Sequence, residues 1–428
     1  MTLFADILSA VFERRIRRPS SSQAGDGRPL EEMAHALVSA TGETSRLAFA
    51  REILQRYQLL DDADKLAFFR HIAKSMNIDP EAVRSTLNDY EHNVSKESYL
   101  AFISAAEPLR QELIRRMNIV PGATGILVNM RADLLRLGRN EQELQALDLD
   151  FRHLFASWFN RGFLVLRPIS WESPAHILEK IIAYEAVHTI DSWEDLRRRL
   201  EPTDRRCFAF FHPSMPDEPL IFVEVALTKG IPSSVQMVLA EERLSVSVDE
   251  ADTATFYSIS NCQAGLAGIS FGNSLIKQVA SDLSIENDGL KTFVTLSPIP
   301  NLSKWLSNKG SSTNDCDSEA LRSIAAHYLI NAKSRNNLPY DPVARFHLGN
   351  GAIVHDVHAD ADTSPRGQAQ SAGVMVNYLY DLDKVEQNHE EFMNTKNVHS
   401  SQVIKDLANA FSIPEDKGLE IVATSSSG

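Results

Sequence analysis

Residues 255–283 read TFYSISNCQAGLAGISFGNSLIKQVASDL, and the fold class turns on them. Thr255 to Ser260 is a β-branched and aromatic run, the composition of a strand. Gln263-Ala-Gly265-Leu-Ala-Gly268 is a glycine-spaced loop, and the chain continues through Gly272 into an amphipathic stretch carrying Leu275, Ile276 and Val279. Strand, glycine loop and helix in succession aim free backbone N–H groups and the positive helix end at one spot, a site for phosphate or pyrophosphate. Glycines belong there because a Cβ would hold the phosphate away from the amides. Lys277, one turn into the helix, either adds a cation or is a solvated surface lysine, and the general preference of lysine favours the surface. Gly268-Ile269-Ser270-Phe271-Gly272 also matches the G-x-S-x-G nucleophile elbow. An elbow needs a strand running straight into the serine, and the residues before Gly268 have no strand character.

Outward from this stretch the pattern stays mixed. Short β-branched and aromatic runs occur at Phe163 to Leu166, Phe208 to Phe211, Leu220 to Leu227, Phe293 to Leu296 and Val374 to Tyr380. Helical stretches lie between them at Ala175 to Tyr184, Ser192 to Leu200, Asn273 to Leu283 and Ser318 to Asn331, so the region from 161 to 428 is mixed α/β. From Leu30 to Phe159 the signal is helical throughout. Leu66, Phe69, Ile72, Ala73 and Met76 recur at steps of three and four, the stripe of one buried helix face. Asp79-Pro80-Glu81 is a helix start, with an N-cap acceptor, proline at N1 and an acid in the first turn. Gly138 and Gly162 follow such stripes as C-caps. Residues 1–160 therefore read as an all-helical packing and assembly domain with no convergent chemistry among its exposed residues. Leu3 to Phe12, followed by Arg14, Arg15, Arg17 and Arg18, has its basic residues after the apolar stretch, which fits an amphipathic first helix and not a secretory signal. Pro19 to Pro29 is a breaker-rich loop.

The 428 residues carry 43 Lys+Arg against 57 Asp+Glu, a net charge of −14, and 43% are hydrophobic. That is a globular composition of two or three domains at roughly 150 residues each. The acidic field disfavours nucleic acid and anionic membrane surfaces as partners, so any polyanion must be held locally. Cys207, Cys262 and Cys316 match no zinc or disulfide framework, and with no apolar run long enough for a membrane helix the default compartment is the cytoplasm.

Two further groups carry possible chemistry. His355-Asp-Val-His358-Ala-Asp360-Ala-Asp362 contains metal-ligand residue types, but in no known ligand spacing, and reads as a polar loop or an exposed strand with alternating side chains. Ser297, in Leu296-Ser297-Pro298-Ile299-Pro300, ends an apolar strand and is held extended by the following proline; strand ends are where α/β sites form. His347, in Phe346-His347-Leu348-Gly349-Asn350-Gly351, stands before a Gly-Asn-Gly turn and points away from two buried neighbours. From pattern alone the structural reading is favoured for both, a turn hydroxyl and a satisfied histidine.

Taken together, FHPSMPDEPLIFVEVALT at 211–228, FYSISNCQAGLAGISFGNSLIKQV at 256–279, FVTLSPIPNLSKWL at 293–306, DPVARFHLGNGA at 341–352 and SAGVMVNYLYDL at 371–382 resemble the malonyl-CoA decarboxylase family. The resemblance covers nearly the whole chain and is most specific after residue 160. It implies a helical assembly domain followed by a catalytic domain related to the N-acetyltransferase (GNAT) fold, which splits malonyl-CoA into acetyl-CoA and carbon dioxide. It implies that Ala267, Gly268, Ile269, Ser270, Phe271, Gly272 and Asn273 hold the CoA substrate, that Ser297 and His347 are the catalytic pair, and that Tyr380 lies near them. Some members carry a glutamate where this chain has Ser270. A homo-oligomer, a dimer or a dimer of dimers, is implied as well. The malonyl thioester accepts the electron pair left by carbon dioxide as an enolate, so neither an organic cofactor nor a metal is required. A serine hydroxyl and an imidazole suffice to stabilise the oxyanion and protonate carbon, with His347 favoured as donor because its reference pKa lies near neutrality. Two rival readings stand beside it: a GNAT-like acyltransferase that uses the same loop to pass the acyl group to an amine, and a non-catalytic CoA-responsive assembly protein whose helical domain is the working part. Turnover of malonyl-CoA without an acceptor separates them.

Overall fold

The computed structural model describes residues 27–269, 275–310 and 316–411, so the expected first helix at Leu3 to Phe12 lies outside the described residues. Two compact units emerge. The first takes the described residues up to 196, with 207–223, 259–269 and Leu275; the second takes 197–206, 224–258 and the described residues from 276 onward.

Among the described residues the first unit opens with eight α-helices: α1 (Leu30–Ser39), α2 (Glu43–Leu59), α3 (Asp62–Ser75), α4 (Pro80–His92), α5 (Lys96–Ala106), α6 (Leu109–Met117), α7 (Ala123–Leu137) and α8 (Gln145–Trp158). Their starts are written in the sequence. Asp61 accepts from the Asp64 amide, Asp79 from those of Glu81 and Ala82 ahead of Pro80, and Ser95 forms a reciprocal capping box with Ser98. The predicted stripe is present on α3: Phe69, Ile72 and Met76 are buried together with Phe68, and Leu66 and Ala73 pack against the same core. Each such side chain contributes about 1.5–3 kcal/mol when fully buried. Gly138 caps α7, its amide donating to the Leu134 carbonyl. Gly162 does not cap α8: that helix ends at Trp158 with Phe159 as its cap, and Gly162 falls in a separate 3-10 turn at Arg161–Phe163. After that turn come β1 (Val165–Ile169) and α9 (Ala175–Tyr184).

Three strands run from one unit's residues into the other's: β2 (Arg205–His212), β3 (Met215–Thr228) and β4 (Thr253–Asn261). In the first unit β1 lies antiparallel to β2, with Val165 opposite Phe211. The second unit adds α10 (Leu275–Glu286), β5 (Thr292–Thr295), β6 (Ser297–Pro298), α11 (Ser318–Asn331), α12 (Pro342–Gly349), β7 (Ile353–His358), β8 (Met375–Leu379) and α13 (Val385–Thr395). Here β4 and β5 pair in parallel, Phe256 opposite Thr295. Strand β8 is antiparallel to β5, β6 and β7, with a register shift between Val354 and Asp356. Ala226, Val235, Val238, Tyr257, Leu296, Ala361 and Met375 form a core of this unit. Helices come first along the chain and the mixed sheet follows, as the composition predicts. No helix of the described residues is long and apolar enough to cross a membrane.

Candidate active site

At the Ser297 end of β6 the second unit assembles a buried polar chain. Ser297 Oγ donates to Thr295 Oγ1 at 2.9 Å and lies 3.1 Å from His347 Nε2, while His347 Nδ1 lies 2.9 Å from the Tyr380 hydroxyl. The hydroxyl of Ser297 has one proton, and Thr295 receives it. The contact to Nε2 is therefore an imidazole N–H donating to Ser297 Oγ, which leaves Nδ1 as the acceptor of the Tyr380 O–H. Both sides of the ring are thus assigned for a neutral imidazole. Burial agrees, since it pushes the His347 pKa down to about 3, and it raises Tyr380 well above the ordinary tyrosine value, keeping that hydroxyl a donor. The premise that His347 works because its pKa lies near neutrality is corrected here: desolvation removes the imidazolium.

His347 reaches this position from a helix and not from a turn-proximal extended segment. Asp341 and Pro342 start α12, the Asp341 carboxylate accepting from the amides of Val343 and Ala344 at 2.8 and 2.9 Å. Residues one apart on a helix are rotated by about 100°, so Leu348 is buried beside His347 while Phe346 turns outward and is 39% exposed. The expectation of two buried flanking neighbours is therefore corrected for Phe346. Tyr328 donates to Asp341 at 3.3 Å, and burial raises that carboxyl to about 6. Tyr378 stacks on the imidazole, ring centroids 4.4 Å apart at 22°. Asn377 donates to the Thr295 carbonyl at 2.9 Å, fixing β8 against β5 beside the chain.

In the first unit the glycine loop is held from below. Arg131 of α7, 1% exposed, donates to the carbonyls of Gly265 at 2.7 Å and Ala267 at 2.9 Å and to Asp148 at 2.8 Å. Gly265 packs so closely on α7 that a Cβ would stand 1.8 Å from the Val128 carbonyl oxygen. Gly268 has φ +74°, and Ile269 packs on the helical core. Ser270, Phe271, Gly272 and Asn273 lie outside the described residues. The loop offers fewer free amides than the pattern suggests: Ala267 and Ile269 donate back to Ala264 and Leu266. A 3-10 turn at Ala264–Leu266 separates β4 from Gly268, so no strand leads into the G-x-S-x-G segment. Helix α7 thus has a part in the loop that composition concealed. The signal was present, because Arg131 occupies a core-side position among Leu127, Val128, Met130 and Leu134.

Other candidates disperse. Lys277 is not a solvated lysine: its side chain is 14% exposed and pairs with Glu386 at 2.9 Å. His355 and His358 lie on β7; His358 contacts Asn377, Asp356 binds Arg322, Asp360 accepts from Ser318, and Asp362 accepts from Gln236 and the Ser364 amide.

A strand and glycine loop in the first unit and a buried Ser-His-Tyr chain in the second unit, on a chain that combines helices with a mixed sheet, define the class: a mixed α/β protein with a helical N-terminal region. Residues 76–159 match the malonyl-CoA decarboxylase N-terminal domain, and 162–318 and 308–417 match the malonyl-CoA decarboxylase C-terminal domain. The solved malonyl-CoA decarboxylase of Rhodopseudomonas palustris is similar at 44% identity and TM-score 0.83, covering 88% of this chain and 98% of that one. That of Agrobacterium vitis gives 46% and 0.82 over 88% and 99%. The mitochondrial malonyl-CoA decarboxylase of Anser anser anser is 33% identical over 359 residues, 71% of this chain and 70% of its own length. The chain belongs to the malonyl-CoA decarboxylase family.

Proposed function

We propose that the chain decarboxylates malonyl-CoA to acetyl-CoA and carbon dioxide, with Ser297 and His347 as the reacting pair. The observation that carries this reading is the buried chain Thr295–Ser297–His347–Tyr380, which presents an uncharged serine hydroxyl and imidazole N–H. Loss of carbon dioxide leaves an electron pair on the α-carbon, and the thioester carbonyl takes it up as an enolate. A neutral N–H or O–H donor stabilises that oxygen without placing an ion in a buried site. The same two groups supply the proton that replaces the carboxylate, and solvent restores it afterwards. Tyr380 holds the imidazole in the tautomer that keeps hydrogen on Nε2. Residues 267–273 hold the CoA moiety. No organic cofactor or metal enters, because the thioester is the electron sink.

The test is incubation of the purified chain with malonyl-CoA and no acceptor, before and after exhaustive dialysis against a chelator. Acetyl-CoA should appear at the same rate in both. Absence of turnover without an amine acceptor supports the acyltransferase reading instead, and a rate restored only by a divalent ion overturns the metal-free mechanism. Ser297→Ala and His347→Asn should each lower kcat by about 10²-fold or more, the scale of losing one oxyanion donor, with CoA binding retained.

A further inference from the structure

Resting on the reading of residues 267–273 as the CoA loop, we propose that Arg152 of α8 binds a phosphate of the CoA nucleotide, acting with the backbone amide of Gly268. An acidic chain, net charge −14, that takes a polyanionic thioester needs a cation placed locally. Lys277 is occupied by Glu386 and Arg131 is buried under the loop's carbonyls. Arg152 is the cation of the first unit that stands over the loop's exposed side: a methyl group on Gly268 would lie 3.7–3.8 Å from its Nη2, Cζ and Nε atoms. Its side chain is exposed and makes no ion pair or hydrogen bond among the described residues, and a guanidinium carries five donors. Gly268 is likewise exposed, and its amide donates no hydrogen bond among the described residues. A planar guanidinium over an exposed glycine, whose amide donates to no described acceptor and whose φ of +74° disfavours a side chain, is a fit for phosphate oxygens. Arg131 supports the pair from the other side by drawing the Gly265 and Ala267 carbonyls inward, which keeps acceptors away from the anion.

The experiment compares wild type with Arg152→Ala and Arg152→Lys on free CoA binding by calorimetry and on turnover of malonyl-CoA, malonyl-dephospho-CoA and malonyl-pantetheine. Arg152→Ala should weaken CoA binding and raise KM for malonyl-CoA about 10-fold or more with kcat within about two-fold, the pattern of lost uniform binding. Its kcat/KM for malonyl-pantetheine, which has no nucleotide, should equal that of wild type, and Arg152→Lys should recover part of the loss. Persistence of the defect with the dephospho substrate places Arg152 on the pyrophosphate; its disappearance places it on the 3′-phosphate. Unchanged CoA binding in Arg152→Ala, or an equal loss on malonyl-pantetheine, overturns the proposal. Wild type that binds CoA without decarboxylating would refute the decarboxylase reading alone, since the calorimetry still judges Arg152.

Discussion

Tyr380 shows how much of the chemistry rests on one hydroxyl. It meets His347 Nδ1 from the side opposite Ser297, and without it the imidazole is free to carry its proton on Nδ1 and present a lone pair to Ser297. Tyr380→Phe should therefore lower kcat about 10-fold or more while leaving KM for malonyl-CoA near its wild-type value, as for loss of an interaction made in the transition state. An unchanged kcat would remove the tautomer argument. The depressed pKa of His347 makes a second, independent expectation. Below the unfolded imidazole value near 6.5 the unfolded chain gains a proton that the native chain refuses, so His347 makes stability fall with pH by about 1.4 kcal/mol per unit down to its native value. Activity should show no acid limb at pH 6–7 from this group, and chemical denaturation of His347→Asn should lose part of the wild-type pH slope between pH 6.5 and pH 4. A slope identical in both proteins would mean that His347 titrates normally.

At the scale of the element, α12 is a short helix whose function depends on its start. Asp341 caps it with two amide contacts and is itself gripped by Tyr328, which sits on α11. Asp341→Ala should cost about 1–2 kcal/mol, the usual size of a lost N-cap, and displace His347, whereas Asp341→Asn keeps an acceptor oxygen and should retain most activity. Equal activity in the two variants would show that the cap does not position the histidine. This helix was legible before the structure, for Asp341-Pro342 is the same start signal as Asp79-Pro80, which was read correctly on α4. Gly349-Asn350-Gly351, which drew the reading toward a turn, lies at the end of this helix. The strands from β2 to β5 and β8 were plain because their β-branched and aromatic runs are long. Strand β7 was ambiguous, since His355, Asp356 and His358 look like ligands when only their types are seen. The Ser297–His347–Tyr380 constellation drew no support from spacing, because 50 and 33 residues separate its members. It became visible as a group through the resemblance; in the structure β6 sets Ser297 opposite Val376 of β8, one residue past whose end Tyr380 lies, and α12 brings in His347.

For the whole molecule the open property is assembly, and α4 and α5 bear on it. They pack on each other, yet neither contributes a buried residue, while Leu87, Tyr99, Leu100 and Ile103 remain 37–53% exposed. Two amphipathic helices with an uncovered apolar side resemble half of an interface, and a second copy of the same surface is the simplest cover because a two-fold axis pairs a patch with itself. We therefore propose that residues in 30–159 contribute to a homodimer or a dimer of dimers. Light scattering at micromolar concentration should give a mass of two or four times 47.7 kDa. Replacing both Leu100 and Ile103 by Glu places four like charges across a two-fold interface and should shift the mass toward one chain, with far-UV circular dichroism unchanged. These side chains support no monomer core, so loss of helical signal in that variant would count against an intersubunit role. A wild-type mass near that of a single chain would exclude the assembly outright.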